Sequence, residues 1–237
     1  MGYRILTHNS DVIGSQLDFV IPVIRTGTGA GVSTLQLTTN TDTTISTDGA
    51  GIFYDDAAGT VNPQTSKAFT SGATRTFYFK LTSGSADIRI ANGQSYITRF
   101  NAWTSSTNAA SIYQMNLSSL PSVMTSFFCT GSNTITGNLS SLPSVMTSFF
   151  CTGSNTITDY TSPKTWATNY NYFFIRQAVG SGLSSTEVDN LLIDMSAATW
   201  GGSSRTLDVR GVNAARTSAS NAAVATLLSK SVNVLTN

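Results

Sequence analysis

NLSSLPSVMTSFFCTGSNTIT occupies residues 116–136, and the same stretch recurs unchanged at 138–158, with Gly137 as the spacer. Asn116 thus returns as Asn138 and Thr136 as Thr158. Self-similarity at a fixed period within about 20–29 residues marks a chain built from stacked units, each copy adding one strand and one turn to a shared core. Within a copy Leu120-Pro121 turns the chain, Met124, Phe127 and Cys129 follow at i, i+3 and i+5, and Asn133 and Ile135 come later. Met146, Phe149, Cys151 and Ile157 are their apolar equivalents in the second copy. Those eight apolar residues are the expected repeat core.

Side chains alternate along a strand, so Phe127 and Cys129 point inward and Phe128 between them points out. Phe128 and Phe150 then stack in neighbouring rungs about 4.8 Å apart, with Thr130 and Thr152 beside them as a candidate contact ladder. Such a ladder is either a contact surface or is covered by another chain, a flanking loop or the N-terminal segment. Cys129 and Cys151 fall within disulfide range, but in-register Cβ vectors run side by side and do not converge, so buried free thiols are expected. Two copies cannot bury a core alone. Degenerate rungs are readable upstream at Ile97, Phe100 and Ala102, with Asn108 and Ile112 later, and downstream at Tyr170, Phe173 and Ile175 after Pro163 and Trp166.

Charge is distributed unevenly. Residues 100–158 contain no Asp, Glu, Lys or Arg, whereas Ser, Thr and Asn together number 86 of 237 residues and the net charge is +1. A neutral polar surface is expected, and the clustered cations of a nucleic-acid binder are missing. No apolar run reaches the ~18 residues of a membrane span. As given, the N-terminus lacks the apolar stretch of a secretory signal, so a soluble protein made inside a cell is expected. With His8 as the one histidine, Glu187 as the one glutamate and two cysteines, a four-ligand zinc site of ordinary spacing is excluded. A hydrolytic triad would have to use His8, and a two-carboxylate glycosidase would have to be built from Asp, because Glu187 sits at a helix start. A non-enzyme without cofactor is expected.

Both flanks differ from the repeat. Residues 17–24, 34–39, 51–54, 75–81 and 86–90 alternate without helical periodicity, the pattern of a β-sandwich, and Pro22 suggests that the first run is an edge strand. Asp42, Asp48, Asp55 and Asp56 offer loop oxygens for calcium, but Asp48-Gly49 and Asp55-Asp56 also suit hairpin turns, the favoured reading. Downstream, Ser184 and Glu187 form a capping box ahead of Val188, Leu191, Leu192 and Met195 at helical spacing. Residues 206–210 read as a strand, 217–230 as a helix and 231–235 as a closing strand.

The repeat resembles the leucine-rich repeat, L-x-x-L-x-L-x-x-N-x-L, with Met124, Phe127 and Cys129 in the first three apolar places. Asn133 and Ile135 each come one position late, which implies a looser asparagine ladder. The stretch from Thr206 to Asn237, with Leu207-Asp208, Gly211, Asn213-Ala214-Ala215 and a final valine strand, is similar to the terminal unit of leucine-rich-repeat proteins of phage and environmental bacterial type. The resemblance covers about residues 95–237. Together with the flanks it implies a mixed fold: a β-sandwich over 1–92 for docking and oligomerisation, a short leucine-rich-repeat-like parallel β solenoid over 93–180 and an α/β cap over 181–237. The implied role is a virion structural protein on the exterior of a bacteriophage, as capsid decoration, fibre or spike. Its implied partners are other virion proteins and further copies of itself, a trimer by family analogy, with host-surface glycan or protein as a recognition target. A bacterial surface or secreted adhesin is the alternative.

Overall fold

The computed structural model describes residues 18–25, 32–103, 111–131, 133–153, 156–166, 169–178 and 180–237. His8, the histidine that a hydrolytic triad would have to use, and Asn108 of the upstream rung lie outside them. In chain order the strands are β1 (Phe19–Arg25), β2 (Ser33–Thr39), β3 (Thr43–Thr47), β4 (Gly51–Tyr54), β5 (Ser66–Phe69), β6 (Thr74–Leu81), β7 (Ser85–Ile90), β8 (Ile97–Trp103) and β9 (Ser111–Asn116). They continue as β10 (Ser126–Thr130), β11 (Thr134–Asn138), β12 (Ser148–Gly153), β13 (Thr156–Asp159), β14 (Tyr172–Gln177), β15 (Thr206–Asp208) and β16 (Asn233–Leu235). Helix α1 (Gly93–Tyr96) is a single turn, and α2 (Ser185–Ala197) and α3 (Asn221–Ser229) lie near the C-terminus.

These strands form two mixed sheets, one of seven in the order β13-β11-β9-β1-β7-β3-β5 and one of nine in the order β16-β15-β14-β12-β10-β8-β2-β6-β4. This corrects the expected succession of sandwich, leucine-rich-repeat-like parallel solenoid and cap. Strand β2 pairs antiparallel with both β6 and β8, and β1 pairs antiparallel with both β7 and β9. Each antiparallel sheet therefore grows directly into parallel strands, and one buried cluster runs from Phe19 to Val232. The physical reason is edge satisfaction: two separate β units would leave open edges with unpaired backbone groups, and merging them removes those at the junction. Pro22 sits in a strand with neighbours on both sides, but β9 pairs only with Val23, Ile24 and Arg25, so the chain at Pro22 remains edge-like.

Each repeat copy supplies two strands, where one strand and a turn were expected. In the nine-stranded sheet the copies align at their own period, Phe127 opposite Phe149 and Cys129 opposite Cys151, and β12 continues the register onto Phe173 and Ile175 of β14. In the seven-stranded sheet the strands slip: Thr136 lies opposite Thr156 on one side and Asn116 on the other, an offset two positions shorter than the repeat. A slip of two preserves which face each side chain occupies, because the side-chain period along a strand is two. Gly137, the apparent spacer, lies inside β11 at φ +106°, and a Cβ there would sit 2.7 Å from Asn116 Oδ1.

Buried amides close the turns between the two sheets. Asn133 Oδ1 accepts from Tyr113 N (3.1 Å) and its Nδ2 donates to Thr130 O (2.8 Å). Gln177 does more: its Oε1 accepts from Ile157 N and its Nε2 donates to Ile157 O, both at 2.7 Å, so a side chain takes the place of a neighbouring strand along the open edge of β13. Asn213 accepts from Leu183 N and donates to Ile175 O and Val209 O. At the C-terminus the Ser184–Glu187 capping box starts α2, and α2 buries Val188, Leu191, Leu192 and Met195. Buried Asp189 accepts from Thr217 N, Thr217 Oγ1 and Ser220 Oγ, which ties α2 to the turn preceding α3.

Candidate contact face

Three outward positions on each of β10, β12 and β14 line up across the nine-stranded sheet: Ser126, Phe128 and Thr130; Ser148, Phe150 and Thr152; Tyr172, Phe174 and Arg176. The middle row is aromatic and half-buried. Phe128 and Phe150 stack with centroids 4.4 Å apart and planes 12° apart, and Phe150 meets Phe174 at 4.9 Å and 36°. Tyr172 closes on both Phe150 and Phe174 edge-on, at 6.3 and 6.0 Å. Ring faces are thus turned along the sheet toward one another, and ring edges point away from it. Asp208 of β15 follows Phe174 in the same row, where it is almost fully buried and gripped by Arg210 at 3.0 Å (Nε) and 2.8 Å (Nη2). Asn101 of β8 precedes Phe128, donating to Gln36 at 3.4 Å while its buried Oδ1 accepts no hydrogen bond.

A second aromatic row lies beneath the first. Phe100, Phe127, Phe149 and Phe173 follow one another at 5.2, 5.6 and 5.2 Å inside the core. Met124, Phe127, Cys129 and Ile135, with Met146, Phe149, Cys151 and Ile157, are all fully buried, as are Ile97, Phe100, Ala102, Tyr170 and Ile175. Cys129 and Cys151 are free thiols. Burial pushes the Cys129 thiol up to about 12 and raises Cys151 as well, so neither supplies a thiolate at neutral pH.

Among the described residues, Glu187, Asp194 and the loop aspartates are engaged in holding the fold. Glu187 accepts from Ser184 N and Ser184 Oγ through Oε2, and from Tyr160 N through Oε1. Burial alone would raise its pKa, but these hydrogen bonds outweigh it and hold the carboxyl below its usual range. Asp194 accepts from Tyr160 Oη (2.6 Å) and Lys164 N (2.8 Å), while Lys164 Nζ reaches Ser140 O and Leu142 O. The four loop aspartates are spread over three turns, with Asp55 and Asp56 adjacent in one of them. Asp42 accepts from Ser71 N, Asp48 from Asp87 N, Asp56 from Thr60 N and Val61 N, and Asp55 pairs with Lys67 and Asn62. Among the described residues no group of three His, Cys, Asp or Glu is placed to hold a metal ion.

The sequence reading missed Phe174, Arg99 and Arg176 on the outward face. The doublet Phe173-Phe174 was a usable signal, because it repeats Phe127-Phe128 and Phe149-Phe150. Arg99 and Arg176 carried none, since their common face follows only from the register. No helix among the described residues is long and apolar enough to cross a membrane. Comparison with protein-family models, with curated proteins and with solved structures finds no match to this chain.

Proposed function

We propose that this chain is a non-enzymatic structural and recognition protein displayed on the exterior of a phage particle. The observation that carries the reading is the outward face of β10, β12 and β14: a rigid, repeated surface of hydroxyls and aromatic edges above a second, buried aromatic row. Because the copies align at their own period, such a face lengthens by whole units without a change of chemistry. The phage setting rests on the likeness of residues 206–237 to terminal units of phage leucine-rich-repeat proteins. Proteomics of purified particles tests it: this polypeptide in stoichiometric amount is the expected result, and particles lacking it favour the surface adhesin.

Homo-oligomerisation belongs to the same proposal, with a trimer favoured. Phe53, Phe77 and Phe79, expected as exposed apolar stripes, pack in the chain's own core, so the proposed subunit contact does not run through them and leaves the outward ladder open for recognition. Light scattering at micromolar concentration should give a multiple of the chain mass, and the monomer mass sinks this part.

A further inference from the structure

Arg99 on β8 and Arg176 on β14 are exposed and form no ion pair among the described residues. Both face outward on the nine-stranded sheet. Arg99 aligns with Ser126 and, through Ser148, with Tyr172, four residues before Arg176 on the third strand along. Three strand spacings and four residue rises put the two Cα atoms about 20 Å apart. The line between them crosses the Phe128–Phe150 ladder. Asp208, the carboxylate on this part of the face, is already neutralised by Arg210. A nearly neutral chain thus presents one face of unmatched positive charge. Beside Arg99 lies an open trough of about 450 Å³ lined by Thr38, Thr98, Thr125, Ser126 and Tyr172, all able to hydrogen-bond.

We infer that this face binds a linear acidic polysaccharide of the uronate type, laid diagonally from Arg99 across the aromatic ladder to Arg176. Each guanidinium takes a carboxylate in a two-point hydrogen bond, and the Ser and Thr rows meet the sugar hydroxyls. The ladder discriminates by its orientation. A neutral sugar stacks its C–H face on an aromatic face, but here the faces cover one another and the positive ring edges point out, toward oxygen-rich, negatively charged groups. Two cations are too few for a nucleic-acid backbone, whose specific binders typically neutralise about 6–10 phosphates. This inference rests on the recognition reading above and names its ligand.

Affinity electrophoresis of the full chain through gels containing polygalacturonate, dextran or single-stranded DNA tests it. Polygalacturonate should retard the protein, less so at higher salt, and dextran and DNA should not. The double variant Arg99→Gln/Arg176→Gln, with unchanged melting, should bind about tenfold more weakly. Arg216→Gln, outside the face, should leave retardation unaltered. No retardation by polygalacturonate, equal retardation of the double variant, or equal retardation by dextran or DNA overturns the inference. A protein present in particles but indifferent to polygalacturonate overturns this ligand and leaves the particle proposal standing. Binding by a protein missing from particles does the reverse.

Discussion

Phe127 and Phe128 are adjacent in sequence and stand in two different aromatic stacks, one in the core against Phe149 at 5.6 Å and one on the outward face against Phe150 at 4.4 Å. Strand alternation alone separates them. Their removal should therefore have unequal consequences. Phe127→Ala empties a site packed between Phe100 and Phe149 and should cost about 3–5 kcal/mol. Phe128→Ala loses a stacked neighbour and should cost about 1 kcal/mol. Urea denaturation of both variants checks this, and similar losses would mean that the rung is rotated.

Asp189 sets an acid limit on the C-terminal unit. Burial raises its carboxyl, but hydrogen bonds from Ser220 and Thr217 outweigh that and hold it below its ordinary value of 3.8. A pKa depressed in the folded chain means that protons bind the unfolded chain more readily. The stabilisation is then present above about pH 4 and fades as pH falls through the folded pKa. Asp189→Asn should cost about 2–3 kcal/mol at pH 7. The gap in melting temperature between the two proteins should narrow from pH 4 toward pH 2. A gap independent of pH would show that the carboxylate charge plays no part.

Much of the nine-stranded sheet is legible in the sequence, because identical copies carry their register with them. Once Phe127 and Phe149 are equivalent, the inner row, the outer row and the placement of both thiols follow from strand alternation. The second strand of each copy is not legible in the same way. In Thr134-Ile135-Thr136 one buried residue stands between two partly exposed ones, too short a pattern to separate a strand from a turn. Strands β3 and β5 escape notice for the same reason, each burying one residue, Ile45 and Phe69. The junctions of β2 with β8 and β1 with β9 join segments far apart in the chain, and no local pattern encodes which open edge meets which. That pairing turns an expected string of separate units into two continuous sheets. On the contact face, Phe128 and Phe150 announce themselves by repetition, whereas Arg99 and Arg176 come together only through three strand pairings.

Glycine is required where successive turns touch. Gly153 has φ +110°, and a Cβ at this residue would lie 2.0 Å from the carbonyl oxygen of Gly131, one coil below. Backbone cannot yield as a flexible side chain does, so Gly153→Ala combines a left-handed strain of about 1–2 kcal/mol with displacement of the neighbouring turn. The expected result is a loss above about 2 kcal/mol, set against a loss of about 1–2 kcal/mol for Gly72→Ala, whose φ is also positive but where nothing lies within 4 Å, so that it carries the strain alone. Chemical denaturation of the pair separates crowding from conformational strain. Equal losses would leave backbone conformation as the whole effect.

Deleting one period, Gly137 to Thr158, probes the stacking most directly. Strand β10 would then face β14, placing Phe127 against Phe173, Phe128 against Phe174 and Cys129 against Ile175, the contacts that β12 makes now. In the seven-stranded sheet the remaining copy would present Ile135 to Gln177, whose side-chain amide now serves Ile157. Two features change at the new junction. Lys164 Nζ donates to Ser140 O and Leu142 O, which lie in the deleted segment, but Ser118 and Leu120 of the first copy offer the same carbonyls. The outer ladder also shortens by one ring. The shortened chain should fold cooperatively with stability reduced by about one interface between units. A calorimetric trace and near-ultraviolet circular dichroism check this. A chain that loses its fixed aromatic environment would show that the two copies are not interchangeable.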